Sequence, residues 1–230
     1  MDERNIISII IPAFNEEQSI GKVIGDIPHD LVNHVIVVNN ASTDKTVEEA
    51  EKAGAIVLTE NRKGYGWACQ KGIEHSRSLN TDIVVFLDGD YSDYPEEMPN
   101  LLAPIFEHDM DMVIGSRVLG KREKGSLTPQ QVFGNWLATR LIRLFYRARF
   151  TDLGPFRAIK SSSLEELKMV DKTYGWTIEM QIKAAKKKMS FCEVAVNYKR
   201  RIGVSKVSGT VKGTILAGIK IIFAVFKYRF

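Results

Sequence analysis

Four runs of aliphatic and β-branched residues constrain this chain most. Each ends in polar residues, and helical patterning separates them. Ile6–Phe14, His34–Asn40, Ala55–Thr59 and Asp82–Leu87 read as buried strands. Between them, Glu16–Ile27 places Ile20, Val23, Ile24 and Ile27 on one helical face. Lys45–Ala53 follows the capping candidates Ser42, Thr43 and Asp44 and stops at Gly54, and Gly66–Ser78 supplies a third helix. Pro95–Phe106 adds a helix and Met112–Ile114 a short strand. This alternation predicts an α/β fold, a Rossmann-like and mostly parallel sheet flanked by helices. Such sheets bind ligands at the carboxyl ends of their strands. Three of those ends carry Asn15-Glu16, Asn39-Asn40 and Asp88-Gly89-Asp90, which predicts one site built from all three.

The second half is less regular. Val118–Leu127 reads as a mobile loop. Thr128 and Pro129 open a helix that sets Arg140, Arg143 and Arg147 beside Trp136, Leu137, Leu141, Leu144 and Phe145. Ser161–Met169 and Trp176–Lys187 read as helices and Cys192–Tyr198 as a strand. With 230 residues, 44% of them hydrophobic, the chain can bury one sizeable core with a short appendage. A net charge of +4 is too mild for nucleic acid held by charge alone, so no nucleic-acid partner is expected. The basic residues concentrate in Arg117–Arg149 and Lys183–Arg229, which suggests an anionic partner for that end. Cys69 and Cys192 stand far apart in no ligand spacing, as expected of reduced thiols in the cytoplasm. Met1–Arg4 leads straight into a strand, so no signal peptide is expected. No apolar stretch reaches the ~20 residues that span a bilayer.

Asp88-Gly89-Asp90 carries the clearest chemistry. Two carboxylates at a strand end repel unless a cation stands beside them. Mg²⁺ or Mn²⁺ suits such oxygens and can bridge to a diphosphate, and Gly89 leaves room for a close ligand. A lone Asp-x-Asp could equally be a solvated turn, but here a buried strand delivers it.

Pro12-Ala13-Phe14-Asn15-Glu16-Glu17, Ser42-Thr43-Asp44, Asp88-Gly89-Asp90 and Gly115-Ser116-Arg117 occur in the order found in family-two glycosyltransferases of the GT-A fold, and the chain resembles that family along nearly its whole length. Asp152-Leu153-Gly154-Pro155-Phe156-Arg157 and Arg200 with Gly203, Ser205 and Lys206 resemble segments of its polyprenyl-phosphate sugar synthases. The resemblance implies a nucleotide pocket lined by Pro12, Ala13, Asn15, Glu16 and Asn40. It implies Asp88 facing ribose or metal, Gly89 between, and Asp90 as main metal ligand. It places Arg117 on the diphosphate, and Arg200, Ser205 and Lys206 on donor or acceptor phosphates. Catalytic roles fall to Asp90, Arg117 and Asp152. Asp152 is a candidate base or acceptor-positioning group, and a carboxylate capping a loop is an equal reading.

Two departures from the family pattern matter. Asn39-Asn40-Ala41-Ser42 replaces Asp-Asp-Gly-Ser. An amide offers donors and an acceptor, which match uracil better than guanine, so UDP-sugars are favoured over GDP-mannose. Ser92-Asp93-Tyr94-Pro95 replaces Gln-His-Pro-Pro, so Ser92 is a poorer third ligand or water takes that place. Asn61–Gly66 lacks the Walker spacing and reads as a turn.

The expected organisation is a catalytic domain over 1–205 and an amphipathic C-terminal helix over 206–230. In that helix Lys206, Lys212, Lys220 and Lys227 share an arc of about 120°. It would lie on the cytoplasmic membrane face or pack on protein, either its own domain or a second subunit. The expected activity is inverting, metal-dependent transfer of a hexose from a nucleotide-sugar donor to a polyprenyl-phosphate acceptor. A glycan or small-molecule acceptor, a nucleotidyltransferase and a non-enzymatic nucleotide-sugar sensor are the competing readings.

Overall fold

A computed structural model describes residues 5–203 and 223–228. Seven strands form one sheet in the order β3-β2-β1-β4-β6-β5-β7. They are β1 (Ile7–Ala13), β2 (His34–Asn39), β3 (Ile56–Thr59), β4 (Ile83–Phe86), β5 (Met112–Ser116), β6 (Arg157–Lys160) and β7 (Phe191–Ala195). All pairings are parallel except those that β6 makes with β4 and β5. The expected α/β, mostly parallel sheet is therefore present. The antiparallel insertion of β6 between β4 and β5 is the feature sequence reading missed.

The helices are α1 (Ile20–Gly25), α2 (Thr46–Lys52), α3 (Tyr65–Ser78), α4 (Met98–His108), α5 (Pro129–Tyr146), α6 (Ser161–Leu167) and α7 (Trp176–Lys187). A 3₁₀ turn at Pro95–Glu97 precedes α4. Two apolar layers cover the sheet. Ile10, Ile36 and Phe86 face α3 and α7, whereas Ile9, Ile11 and Val85 face α1 and α4. Burial on both faces explains why the central strands read as unbroken apolar runs.

Helix α1 begins later than its periodicity suggests. The backbone N–H groups of Glu16 and Glu17 donate to Thr46 Oγ1 and Asp44 Oδ2, at 2.8 and 3.2 Å, so the segment before α1 is a tied loop. Helix α5 begins as expected with a capping box. Gln131 N donates to Thr128 Oγ1 at 3.3 Å, and Thr128 N to Gln131 Oε1 at 2.8 Å. The loop before it is irregular but pinned rather than loose. Tyr198 N donates to Lys121 O and Glu123 N to Tyr198 O, each at 2.9 Å, and a Cβ on Gly120 would collide with Val196 O.

Most of the expected C-terminal helix, with Ser205 and Lys206, lies outside the described residues. Residues 223–227 are helical, with Ala224 and Val225 buried against the α5–α7 layer. The Tyr146 hydroxyl donates to Val225 O, and Phe145 meets Phe226 at 5.2 Å between ring centroids. The described turn at residues 223–228 thus packs on the domain. Among the described residues no helix is long and apolar enough to cross a membrane.

Candidate active site

The register of β1, β2 and β4 brings the three polar strand ends together. Ala13 lies beside Asn39, and Leu87 N donates to Ile10 O at 3.2 Å, which sets Asp88 next to Pro12. Asn15, Ala41 and Tyr91, each just past one of these strands, adopt left-handed backbone at φ of 56°, 62° and 63°. Such residues are costly and persist where tertiary contacts fix them. Asn15 Oδ1 accepts from Thr43 N at 2.8 Å, and Ser42 Oγ accepts from Asn15 N at 3.0 Å. Asn15 therefore ties the first two loops together instead of lining the pocket.

Between the loops is a cavity of about 290 Å³. Its walls include Pro12, Ala13, Glu16, Asn40, Asp88 and Asp90, all expected from sequence, with Gly89 among them. A Cβ on Gly89 would meet Ile11, Ile20 and Pro12 only at 3.5–3.6 Å, ordinary contact distances, so no neighbouring protein atom demands glycine there.

Asp88 Oδ1 accepts from the Tyr65 hydroxyl at 3.1 Å. Burial, then the charge of neighbouring Asp90, push the Asp88 pKa up to about 6. Asp90 Oδ1 accepts from Ser92 N at 2.9 Å and Ser92 Oγ at 2.5 Å. Ser92 therefore orients Asp90. Arg201 Nη1 lies 3.0 Å from Asp90 Oδ2, and its Nη2 lies 3.0 Å from Glu16 Oε1. Arg201 was not singled out by sequence, whereas Arg200 was. Along an extended segment neighbours point oppositely. Arg200 Nε accordingly donates to Lys124 O at 2.8 Å, on the loop side.

Asp152 and Arg117 form a buried bidentate pair. Arg117 Nε and Nη2 each donate at 2.7 Å, and Arg117 N donates at 2.8 Å. Burial would raise the Asp152 pKa, but the charge and hydrogen bonds of Arg117 outweigh it and hold the carboxyl below its usual range. Both its oxygens are engaged. Arg117 also lies 4.9 Å from the Tyr198 ring centroid. Helix α5 anchors this corner, since Asn135 accepts from Leu153 N at 2.8 Å and donates to Thr151 O at 2.9 Å. Nearby, both oxygens of buried Asp93 lack a hydrogen-bond partner among the described residues, and burial lifts its pKa well above the carboxylate range.

Asn40 spends its amide on the third loop. Its Nδ2 donates to Glu60 O at 2.9 Å and Arg62 O at 2.8 Å, and its Oδ1 accepts from Gly64 N at 2.7 Å. The expectation that the amide reads a base with both donors and acceptor is corrected. Only a second lone pair on Oδ1 remains for a ligand.

Residues 8–168 match glycosyl transferase family 2. The chain belongs to that family. This glycosyltransferase is 32% identical over 214 residues to an uncharacterized glycosyltransferase of Mycobacterium tuberculosis, covering 92% of this chain and 94% of the relative. It is 26% identical over 223 residues to the undecaprenyl-phosphate mannosyltransferase of Micrococcus luteus, covering 91% and 90%. Glucosyl-3-phosphoglycerate synthase of M. tuberculosis, solved with Mn²⁺, UDP and glucosyl-3-phosphoglycerate, superposes with a TM-score of 0.78 at 22% identity over 97% of this chain and 80% of that one. That likeness identifies the GT-A fold in this glycosyltransferase.

Proposed function

We propose that this glycosyltransferase moves a hexose from a UDP-sugar to a polyprenyl phosphate at an anionic membrane surface, inverting the anomeric centre in one displacement. The observation that carries the acceptor is α5. Val132, Phe133, Trp136 and Leu144 are exposed on it, with Trp136 at 51% and Leu144 at 71%. Exposed Arg140, Arg143, Arg147 and Arg149 lie among or just beyond them, and no acidic residue occurs between Lys124 and Thr151. An apolar stripe edged with arginine suits a lipid interface with anionic headgroups. Asn135 on the same helix holds the loop of Asp152, and Asp152 holds Arg117.

Donor chemistry fits the cavity. Asp88 and Asp90 would hold Mg²⁺ or Mn²⁺. Among the described residues no three carboxylate, imidazole or thiol groups converge on a cation site, so substrate phosphates and water would have to complete the shell of an ion held by the Asp pair. The ion would neutralise charge growing on the leaving diphosphate. The protein's own cation for that charge is Arg201, whose Nε is buried without a partner among the described residues. The lone pair left on Asn40 Oδ1 suits uracil, with one ring N–H, better than guanine, with two adjacent donors. A lipid phosphate arrives ionised, so Asp152 serves to orient Arg117 and no side chain has to remove a proton.

The test is nucleoside-diphosphate release from UDP- and GDP-sugars with Mn²⁺ or Mg²⁺, with and without a short-chain polyprenyl phosphate, and Asp90→Ala as control. Release that needs UDP-sugar, metal and lipid phosphate together supports the reading. Equal release without lipid returns the acceptor to a non-lipid class. A small phosphorylated acceptor is the second reading, favoured by the fold shared with the phosphoglycerate-binding synthase.

A further inference from the structure

Tyr91 follows Asp90 directly and takes left-handed backbone at a φ of 63°, which bulky side chains rarely adopt. A residue needed only to make this turn would be glycine or asparagine. What Tyr91 brings instead is a side chain with two ties. Its hydroxyl donates to Oδ2 of Asp26, the C-cap of α1, at 2.6 Å. Its ring packs on the α1–α4 layer, and the Lys199 ammonium stands 3.3 Å from its centroid and 4.4 Å from that of Tyr94.

The same two segments are joined through their backbones. Lys199 N donates to Ser92 O and Ile202 N to Asp90 O, each at 2.9 Å. Lys199 and Arg201, two apart, both face the Asp90 turn, and Arg200 between them faces the 121–125 loop. Ser92 and Arg201 hold the Asp90 carboxylate from either side. The described walls of the donor cavity include neither Tyr91 nor Asp26, so their bond holds the turn from outside it. Without an ion, Asp88 and Asp90 repel, and that repulsion opposes the turn that brings them together.

We propose that Tyr91 is a positioning residue, whose hydroxyl bond to Asp26 latches the turn after Asp90 in the arrangement that presents the Asp pair to a divalent cation with its diphosphate. This rests on the donor reading of the cavity. An ion that needs the pair in one arrangement binds in proportion to the population of that arrangement. Releasing the latch therefore raises the apparent dissociation constant while leaving every ligand-contacting group intact.

The experiment uses the full chain. Affinity for UDP with Mn²⁺ is measured by calorimetry, exchange of the Ser92 amide in metal-free protein by NMR, and the unfolding midpoint separately. Tyr91→Phe, which keeps the ring and removes only the hydroxyl, should weaken binding about 3- to 10-fold and speed exchange at Ser92, with the midpoint close to wild type. Asp26→Ala should match it, and the double variant should bind no worse than either single one. Asp26→Asn, whose amide oxygen still accepts the hydroxyl, should keep wild-type affinity. Tyr91→Gly relieves the backbone and should still weaken binding at least as far as Tyr91→Phe. Unchanged affinity in Tyr91→Phe overturns the proposal, as does wild-type affinity in Tyr91→Gly or an additive loss in the double variant. If wild type itself ignores UDP with Mn²⁺, the donor reading fails. Ser92 exchange then judges the latch, and unchanged protection in Tyr91→Phe overturns it.

Discussion

Arg201 reaches Asp90 with one guanidinium nitrogen and Glu16 with the other, at 3.0 Å each. A fixed cation therefore stands where diphosphate and metal charge would meet, while adjacent Arg200 braces the 121–125 loop. Arg201→Ala is expected to lower kcat/KM for sugar transfer by about 10²- to 10³-fold, in line with loss of a preorganised charge-stabilising donor. Arg200→Ala should cost about threefold at most, since it removes a peripheral brace. Steady-state release of nucleoside diphosphate by the two variants checks the contrast. Equal losses would return Arg200 to the site.

Asp88 titrates near pH 6 because burial and Asp90 disfavour its charge, against an ordinary value of 3.8. A carboxyl raised in the folded state favours folding below its unfolded pKa, and that contribution fades as pH rises through the folded value. Protein without metal should therefore lose thermal stability from about pH 4 to about pH 6, with Asp93 acting in the same sense. Mn²⁺ with UDP selects the ionised pair, so its affinity should fall by up to about tenfold per pH unit below about pH 6. Calorimetric titrations across that range, beside melting curves without metal, measure both slopes.

Asp152 is held ionised and fully engaged by Arg117. Asp152→Asn strands a buried guanidinium and should destabilise the protein by about 3–5 kcal/mol, read by chemical denaturation. If Asp152 only orients Arg117, residual activity keeps the wild-type pH profile. Disappearance of an acidic limb would instead make Asp152 the base.

How much of this was legible follows from what each residue's environment depends on. Strands β1, β2 and β4 announced themselves because both faces are buried, so Ile9 and Ile10 are equally apolar. Strand β6 did not, because Arg157-Ala158-Ile159-Lys160 begins and ends with charge. The Arg157 guanidinium is buried by donating to the carbonyls of Leu153, Gly154 and Thr177, partners that only tertiary folding supplies. Asn40 was legible as a site residue from its place after β2. Its commitment to Glu60, Arg62 and Gly64 was not, because that depends on a loop about twenty residues away. Choosing Arg201 over Arg200 requires knowing which side of the segment faces the cavity. A weak signal existed, since one of two adjacent arginines must point away from the other.

Two glycines in the site motifs are expected to behave oppositely. A Cβ on Gly154 would lie 2.7 Å from Gly115 O and 3.3 Å from Asp152 Oδ2, whereas one on Gly89 meets ordinary contacts only. Gly154→Ala should cost about 1–3 kcal/mol and disturb the Arg117–Asp152 pair, while Gly89→Ala should fold as wild type and keep metal-dependent UDP binding. Denaturation midpoints and UDP titrations of both variants separate steric need from mere presence in a motif.

The exposed stripe of α5 makes the membrane reading separable from the chemistry. Each arginine near an anionic surface contributes roughly 1 kcal/mol, so reversing two charges should cost at least about 2 kcal/mol, or about 30-fold in vesicle affinity. Arg140→Glu with Arg143→Glu should release the protein from vesicles containing anionic phospholipid, and raised salt should release wild type in the same way. Trp136→Ala should weaken binding by loss of interfacial apolar area, with little dependence on salt. None of the three side chains lines the donor cavity, so UDP affinity should stay at the wild-type value. Sedimentation with neutral and anionic vesicles, beside UDP titrations in solution, distinguishes the outcomes. Wild-type protein that ignores anionic vesicles would leave α5 to contact protein, and the small phosphorylated acceptor would then be the better reading of the Arg117 corner.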